Sequence, residues 1–222
     1  MPRTTRELTD YPRPSVAVDV AVLTVREDGL HVVVVEHRTG QPALPGSFLH
    51  EGEVLADAAA RALREKAGLE RVSFAQLQVM DDPKRDNRGW VLSAGHSGVL
   101  RSDQLPVGTG LMPIAAGDAT GDLLFDHNQI VRLAVQKLRL DYGQQIDPGQ
   151  LLGERFTVLQ LRRVYEAVFE RALMKDTFRR LVTPNLQPTG ELGNDFGRPA
   201  EIYRRTSDTR LTPKAWAIFN GN

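Results

Sequence analysis

The chain has 222 residues, of which 41% are hydrophobic, so it can bury one large core or two smaller ones. It contains no Cys, which excludes disulfide bonds and thiolate metal sites. It also lacks an apolar run of about 18 residues of the kind that spans a membrane. We therefore expect a soluble, cytoplasmic protein without a membrane partner.

The formal net charge is zero, but the charges are unevenly distributed. Residues 1–153 carry 16 Lys and Arg against 20 Asp and Glu, whereas residues 154–222 carry 12 against 8. A basic C-terminal third is typical of a region that binds a polyanion such as DNA. The alternative is an ordinary solvated charged face.

The first 140 residues contain both strand and helix patterns. Two β-branched runs, 16–25 and 30–36, flank a turn signal that ends at Gly29 and predict a β-hairpin. The further predicted elements are a helix at 54–67 that stops at Gly68, strands at 72–80 and 90–100, an irregular segment at 101–121, and a helix at 127–140. Gly95 and Gly98 weaken the prediction of the strand at 90–100.

Residues 143–153 are polar and contain helix breakers, so we predict a linker there. After it, Thr157 and Gln160 form a capping-box pattern that starts a helix. The elements predicted next are a short helix at 175–182 and two short strands at 186–189 and 200–204, separated by a Gly-punctuated stretch. This order is typical of a winged helix, and it predicts two domains, 1–147 and 148–222.

Residues 44–69, LPGSFLHEGEVLADAAARALREKAGL, resemble the Nudix box, whose pattern is G-x(5)-E-x(7)-R-E-U-x-E-E-x-G-U with U aliphatic. The spacing fits throughout, and the matching residues are Glu53, Arg61, Leu63, Glu65, Gly68 and Leu69. Ser47, Ala62 and Lys66 stand where the pattern has Gly, Glu and Glu. The resemblance implies an N-terminal Nudix domain of the α/β/α sandwich type.

The altered positions bear on catalysis. Positions 62, 65 and 66 are spaced to share one helix face, where a working Nudix enzyme gathers carboxylates around divalent cations. Only Glu65 remains there, and Lys66 places an ammonium where a cation would lie. We therefore predict no catalytic residues, no metal and no required cofactor, and a vestigial box comprising Glu53, Arg61, Glu65 and Lys66. Alternatively, the box is a bare scaffold in which these glutamates pair with Arg61 or Lys66.

A pocket without its metal ligands can still bind a nucleotide. Its candidate residues are Arg38, Phe48 and three members of the segment DDPKRDNRGW. In this segment, Arg85 and Arg88 could clamp phosphates and Trp90 could stack on a base. Each of these residues could also be an ordinary solvated side chain.

The C-terminal region resembles the winged-helix domain of the NrtR-type, Nudix-related regulators of NAD metabolism. The phrases FTVLQLRRVYEAVF, DTFRRL and GRPAEIYR carry this resemblance, which covers about residues 14–205 when RDNRG, LLFDHNQI and the box are included. It implies a winged helix-turn-helix domain and a homodimer. The dimer would repress genes for NAD biosynthesis or salvage and leave the DNA when ADP-ribose or a related nucleotide binds.

The helix at 175–182 is the predicted DNA-recognition element. Phe178, Leu181 and Val182 are expected to face the core, which leaves the basic side chains for the major groove and the phosphates. The two strands predicted at 186–189 and 200–204 form the hairpin, or wing, of the winged helix. The predicted DNA-binding residues are Lys175, Thr177, Arg179 and Arg180 on the helix and Arg198 in the wing. Alternatively, the helix is simply amphipathic and the Gly-Arg-Pro tripeptide only ends a strand.

The sequence therefore favours an α+β protein that acts as a ligand-responsive transcriptional repressor. Its predicted partners are double-stranded operator DNA, ADP-ribose or a related nucleotide, and a second copy of the chain. One alternative is a Nudix hydrolase of ADP-ribose or a related nucleoside diphosphate, which Glu53 and Glu65 keep open. Another is an interaction module that uses both folds as scaffolds.

Overall fold

The computed structural model describes residues 7–195, 198–207 and 209–221, except the side chains of residues 8, 194, 195 and 198. The N-terminal part contains nine strands and two α-helices within these ranges. They are β1 (Ser15–Arg26), β2 (Gly29–Val33), β3 (Val35–Glu36), β4 (Pro42–Ala43), β5 (Gly46–Phe48), α1 (Leu55–Ala67), β6 (Ser73–Met80), β7 (Val91–Val99), β8 (Leu111–Ala115), β9 (Asp118–Ala119) and α2 (His127–Gln144).

A mixed sheet in the order β6-β7-β1-β2-β8-β9 forms the centre of this part, and β5 also pairs with β1. Strand β1 runs parallel to β7 and antiparallel to β2, with Arg26 opposite Gly29, which confirms the predicted hairpin. Side chains alternate across a strand, so Val20 packs in the hydrophobic cluster with α1 and Ala21 in the cluster with α2. The sheet is therefore covered by a helix on each face.

Two features of the sheet differ from the sequence prediction. The segment 101–121 is not wholly irregular, because β8 pairs with β2 and a turn through Ala116 and Gly117 returns the chain into β9. The glycines of β7 do not mark a weak strand. A Cβ on Gly98 would lie 2.7 Å from Val72, so the glycine allows β6 to pack closely on β7.

The C-terminal part contains β10 (Phe156–Thr157), α3 (Val158–Phe169), α4 (Lys175–Val182), β11 (Leu186–Asp195), β12 (Arg198–Arg205) and α5 (Pro213–Asn220). Helix α3 begins with the predicted capping box of Thr157 and Gln160, and α4 has the predicted bounds. Strands β11 and β12 are longer than predicted, because the Gly-punctuated stretch continues their pairing after a bulge. The short β10 completes a three-stranded sheet with them.

The predicted linker at 143–153 contains buried residues and is not solvated throughout. Helix α2 extends to Gln144, and Ile146 and Asp147 are fully buried beyond it. The Asp147 carboxylate accepts hydrogen bonds from Tyr142 Oη at 2.5 Å and Leu151 N at 2.8 Å, and it pairs with Arg205 of β12 at 2.6 Å. Buried hydrogen bonds thus replace the polar solvation that the composition suggested. The domain boundary at 147/148 stays a prediction.

One hydrophobic cluster joins the two parts of the chain. It contains Leu23 of β1, Ile130 of α2 and Leu161 of α3, together with Phe219 of the C-terminal helix α5. The sequence did not predict α5, although its apolar side packs beside Tyr165 with a ring separation of 4.8 Å. The C-terminal part therefore packs directly on the sheet and α2. No helix within the described ranges is long and apolar enough to span a membrane.

Candidate functional site

A cavity of about 260 Å³ opens beside the central strand β1, between β5, the end of α1 and the loop before β7. Strand β1 supplies its floor, while α1 and the loops supply its mouth. The polar and aromatic residues that line it are Asp19, His37, Ser47, Phe48, Lys66, Arg85, Asp86, Arg88, Phe125 and His127. Three of the predicted ligand-binding residues, Phe48, Arg85 and Arg88, are thereby brought together.

Arg85 lies in the floor of the cavity, with only 3% of its side chain exposed. Its guanidinium donates to both oxygens of Asp126, at 2.9 and 2.7 Å, and to Asp19 at 3.3 Å. A buried guanidinium needs such partners, because an unpaired buried charge is costly. These contacts hold the floor together. They also occupy most of the Arg85 N–H donors, so fewer of them can bind a phosphate than the sequence suggested.

Asp19 is a buried carboxylate at the centre of this floor. Ser93 Oγ donates to it at 2.6 Å, and His127 Nε2 lies 3.2 Å from its other oxygen. Leu44 N donates to His127 Nδ1 at 2.9 Å, so Nε2 is the ring nitrogen that carries a proton toward Asp19. Burial raises the pKa of Asp19, but the attraction of His127 and the hydrogen bonds outweigh it and leave the pKa below its usual value.

The Asp19 carboxylate lies so close to the backbone of residue 46 that this residue must be glycine. A Cβ at residue 46 would overlap Asp19 Oδ1 and would also lie 2.9 Å from the Val18 carbonyl oxygen. Only glycine therefore lets the backbone of β5 approach β1 closely enough to cover Asp19.

Arg88 forms the basic side of the mouth. It pairs with Asp86 at 2.6 Å, and its guanidinium lies over the rings of Phe48 and Phe125, 5.6 and 5.4 Å from their centroids. The hydrogen bond from Arg88 lowers the pKa of Asp86 to about 2. Phe48 is 42% exposed, so it offers an aromatic face at the mouth. The Arg88 guanidinium beside the exposed Phe48 ring is an arrangement that can bind a nucleotide.

The remaining predicted residues, Arg38 and Trp90, do not line this cavity. The structure brings His37 and Phe125 there instead, with ring centroids 6.0 Å apart. Sequence reasoning also missed Asp19, Ser93 and His127. The available signal was Asp19 itself, a lone charge within the most apolar run of the chain.

Glu53 and Arg61, two residues of the predicted vestigial box, form an ion pair. Arg61 donates to the two Glu53 oxygens at 2.9 and 2.8 Å, and also to Ser47 Oγ at 2.7 Å. His50 N donates to Glu53 as well, at 3.0 Å. These hydrogen bonds lower the pKa of Glu53 to about 2, and the bond from Arg61 has the largest effect. This pair ties the loop after β5 to α1.

The three positions of α1 at which the Nudix pattern has carboxylates have different surroundings. Ala62 is fully buried in the core, Glu65 is 52% exposed and does not line the cavity, and Lys66 does line it. Positions 62, 65 and 66 all belong to α1, but of the three only position 66 lines the cavity. No group of three His, Cys, Asp or Glu within the described ranges is placed to hold a metal ion.

A second candidate site lies in the C-terminal part. Helix α4 buries Phe178 and Val182, as predicted, and exposes its predicted DNA-contacting cations, Lys175, Arg179 and Arg180. Thr177 is half-buried. A groove of about 740 Å³ lies between α3, α4 and β12, and its basic lining residues are Arg162, Arg163, Lys175 and Arg179. The side chain of Arg198 lies outside the described residues.

Comparisons with known proteins match both parts of the chain. The family model of the NUDIX domain matches residues 15–104, and that of the NrtR DNA-binding winged helix domain matches residues 148–205. The chain is 28% identical over 210 residues to the ADPR responsive transcriptional repressor NtrR of Acinetobacter baylyi, covering 88% of this chain and 84% of that protein.

The crystal structure of Shewanella oneidensis NrtR complexed with a 27mer DNA matches with a TM-score of 0.72 and 27% identity, covering 91% of this chain and 96% of that one. An ADP-ribose pyrophosphatase of Methanocaldococcus jannaschii is 29% identical over 128 residues, or 55% of this chain and 73% of that protein. The predicted fold class is thus confirmed. The chain thus joins a NUDIX domain to an NrtR-type DNA-binding winged helix domain, and over most of its length it is similar to NrtR proteins.

Proposed function

We propose that this protein is a cytoplasmic transcriptional repressor that binds double-stranded operator DNA and responds to ADP-ribose or a related nucleotide. The observation that carries the proposal is α4, a helix that buries its apolar side and exposes three cations beside a basic groove. The ADPR responsive repressor of A. baylyi and the DNA complex of the S. oneidensis relative support it. The resemblance to NrtR-type regulators implies that its target genes serve NAD biosynthesis or salvage.

In this proposal α4 enters the major groove. Arg179 and Arg180 read guanine edges or meet phosphates, Lys175 meets phosphates, and the wing with Arg198 contacts the adjoining backbone. Two copies of the chain present their recognition helices to a palindromic operator, with the half-sites separated by about one helical turn of DNA. Size-exclusion chromatography with light scattering tests the homodimer.

The nucleotide binds in the cavity beside β1 and changes the affinity for DNA. Phe48 offers a ring for stacking, and Arg88 offers a cation for the phosphates. A ligand can release DNA only by binding more tightly to the arrangement of domains that does not fit the operator. The shared hydrophobic cluster supplies a physical connection between the cavity's sheet and the winged helix.

Fluorescence anisotropy with an operator selected from random 27-bp duplexes tests the proposal. The double variant Arg179→Ala/Arg180→Ala should bind at least about tenfold more weakly, because each base contact contributes about 1–3 kcal/mol. Arg64→Ala, which removes an exposed arginine of α1, is the matched control and should bind like the wild type. ADP-ribose should release the duplex. If no duplex is retained, and no nucleotide raises the melting temperature, the chain is an interaction module instead.

A hydrolase is the alternative that the structure disfavours. Both oxygens of Glu53 accept from Arg61, Ala62 is buried, and Lys66 lines the cavity where a carboxylate would be needed. We therefore expect neither a catalytic metal nor another required cofactor. Purified protein incubated with magnesium and ADP-ribose should release no AMP or ribose phosphate above the uncatalysed rate, whereas rapid release would establish the hydrolase.

A further inference from the structure

We infer that Lys66 takes over the role of the divalent cation in this pocket, so that its ammonium neutralises the diphosphate of the bound nucleotide and binding needs no metal. This inference rests on the proposed function, because it presupposes a nucleoside diphosphate as the ligand. It assigns Lys66 a binding role in place of the vestigial one suggested by its departure from the Nudix pattern.

The Nudix pattern has carboxylates at positions 62, 65 and 66 of α1. Of these three positions, only Lys66 lines the cavity. Position 62 is buried in the core, and Glu65 lies outside the cavity lining, 4.0 Å from Arg61. Lys66 makes no ion pair or hydrogen bond with the part of the chain that the structure describes. An exposed ammonium at the mouth is therefore available for an incoming anion.

The other cations of the cavity are already engaged. Arg85 donates to Asp19 and Asp126, and Arg88 donates to Asp86 from Nε and one terminal nitrogen. Arg85 is shared by two carboxylates and Arg88 pairs with a third, so Arg88 can donate to a phosphate only from its remaining nitrogen, and the two arginines bring no net positive charge to the cavity. A diphosphate entering such a site needs a further positive charge, because a charged phosphate is costly to desolvate without a partner. Lys66 supplies that charge.

The same arrangement opposes a metal ion. Two cations a few ångströms apart repel each other, and this repulsion is strongest where water is excluded. Glu53, the loop residue that matches the glutamate of the Nudix pattern, directs both carboxylate oxygens to Arg61 and is thereby occupied. Lys66 and a divalent cation are therefore alternative partners for the diphosphate.

Isothermal titration of ADP-ribose into the full-length chain, with MgCl₂ or with EDTA, tests the inference. The wild type should bind with the same affinity in both buffers. Lys66→Met keeps an unbranched side chain that is one heavy atom shorter and removes the charge. It should bind about tenfold more weakly or worse in both buffers, as expected for a lost charge-assisted contact. Lys66→Glu should bind weakest in EDTA and regain affinity in MgCl₂, because it returns a carboxylate to the Nudix position.

Arg64→Glu is the matched control, because it reverses a charge on the same helix at an exposed position outside the cavity. It should bind like the wild type in both buffers. Wild-type binding that requires magnesium would overturn the role of Lys66 and leave the proposed function intact. If Lys66→Met binds ADP-ribose as tightly as the wild type, the role of Lys66 is likewise overturned and the proposed function stays intact. If ADP-ribose binds to no form of the protein, both proposals fail.

Discussion

Replacing Asp147 by alanine should strongly destabilise this protein. The Asp147 carboxylate is fully buried at the junction of α2 and β12. It accepts from Tyr142 Oη, from Leu151 N and Leu152 N, and from Arg205 at 2.6 Å. The substitution leaves all four donors without this partner, including a guanidinium whose side chain is only 16% exposed.

Breaking a buried ion pair by removing one partner costs about 3–5 kcal/mol. Burial raises the pKa of Asp147 despite its hydrogen bonds, so desolvation already offsets part of the attraction in the wild type. We therefore expect the free energy of unfolding to fall by about 3 kcal/mol, at the lower end of this range. For a chain of this size the thermal midpoint should fall by roughly 10 °C.

Urea and thermal unfolding followed by circular dichroism measure this change. Asp103→Ala is the control, because Asp103 pairs with Arg101 at 2.9 Å on the surface and 68% of its side chain is exposed. Its loss should cost less than about 1 kcal/mol. An Asp147→Ala protein that unfolds within about 1 kcal/mol of the wild type would refute the reasoning that this buried carboxylate joins the two parts.

Three further substitutions test other contacts. Gly46→Ala places a Cβ against Asp19, so urea unfolding should show a loss of about 1–3 kcal/mol. Glu53→Gln removes a carboxylate whose folded pKa of about 2 lies below its usual 4.5. Such a group stabilises the fold above pH 4.5 and ceases to do so as the pH falls toward 2, so the variant's unfolding should depend less on pH in that window. Gly143→Ala collides with Trp216 and should change tryptophan fluorescence by displacing α5. A wild-type result in any of these measurements would contradict the corresponding contact.

Local signals in the sequence determined several elements. The turn before Gly29, the stop at Gly68 and the capping box at Thr157 each depend on the conformation of a few adjacent residues, and each lies where it was predicted. The bounds of α4 and the burial of Phe178 followed from helical periodicity in the same way. Phe48, proposed for the ligand pocket because it lies beside the Nudix motif, does line the cavity.

Tertiary structure alone decided how distant segments share one site and one core. Asp19, Ser93 and His127 meet because β1 and β7 are parallel neighbours and α2 begins beside them, which no local pattern encodes. The polar segment around Asp147 is buried because partners from α2 and β12 satisfy its carboxylate. Periodicity reports which side of an element is apolar, but whether a polar residue is solvated or buried depends on partners brought from elsewhere in the chain.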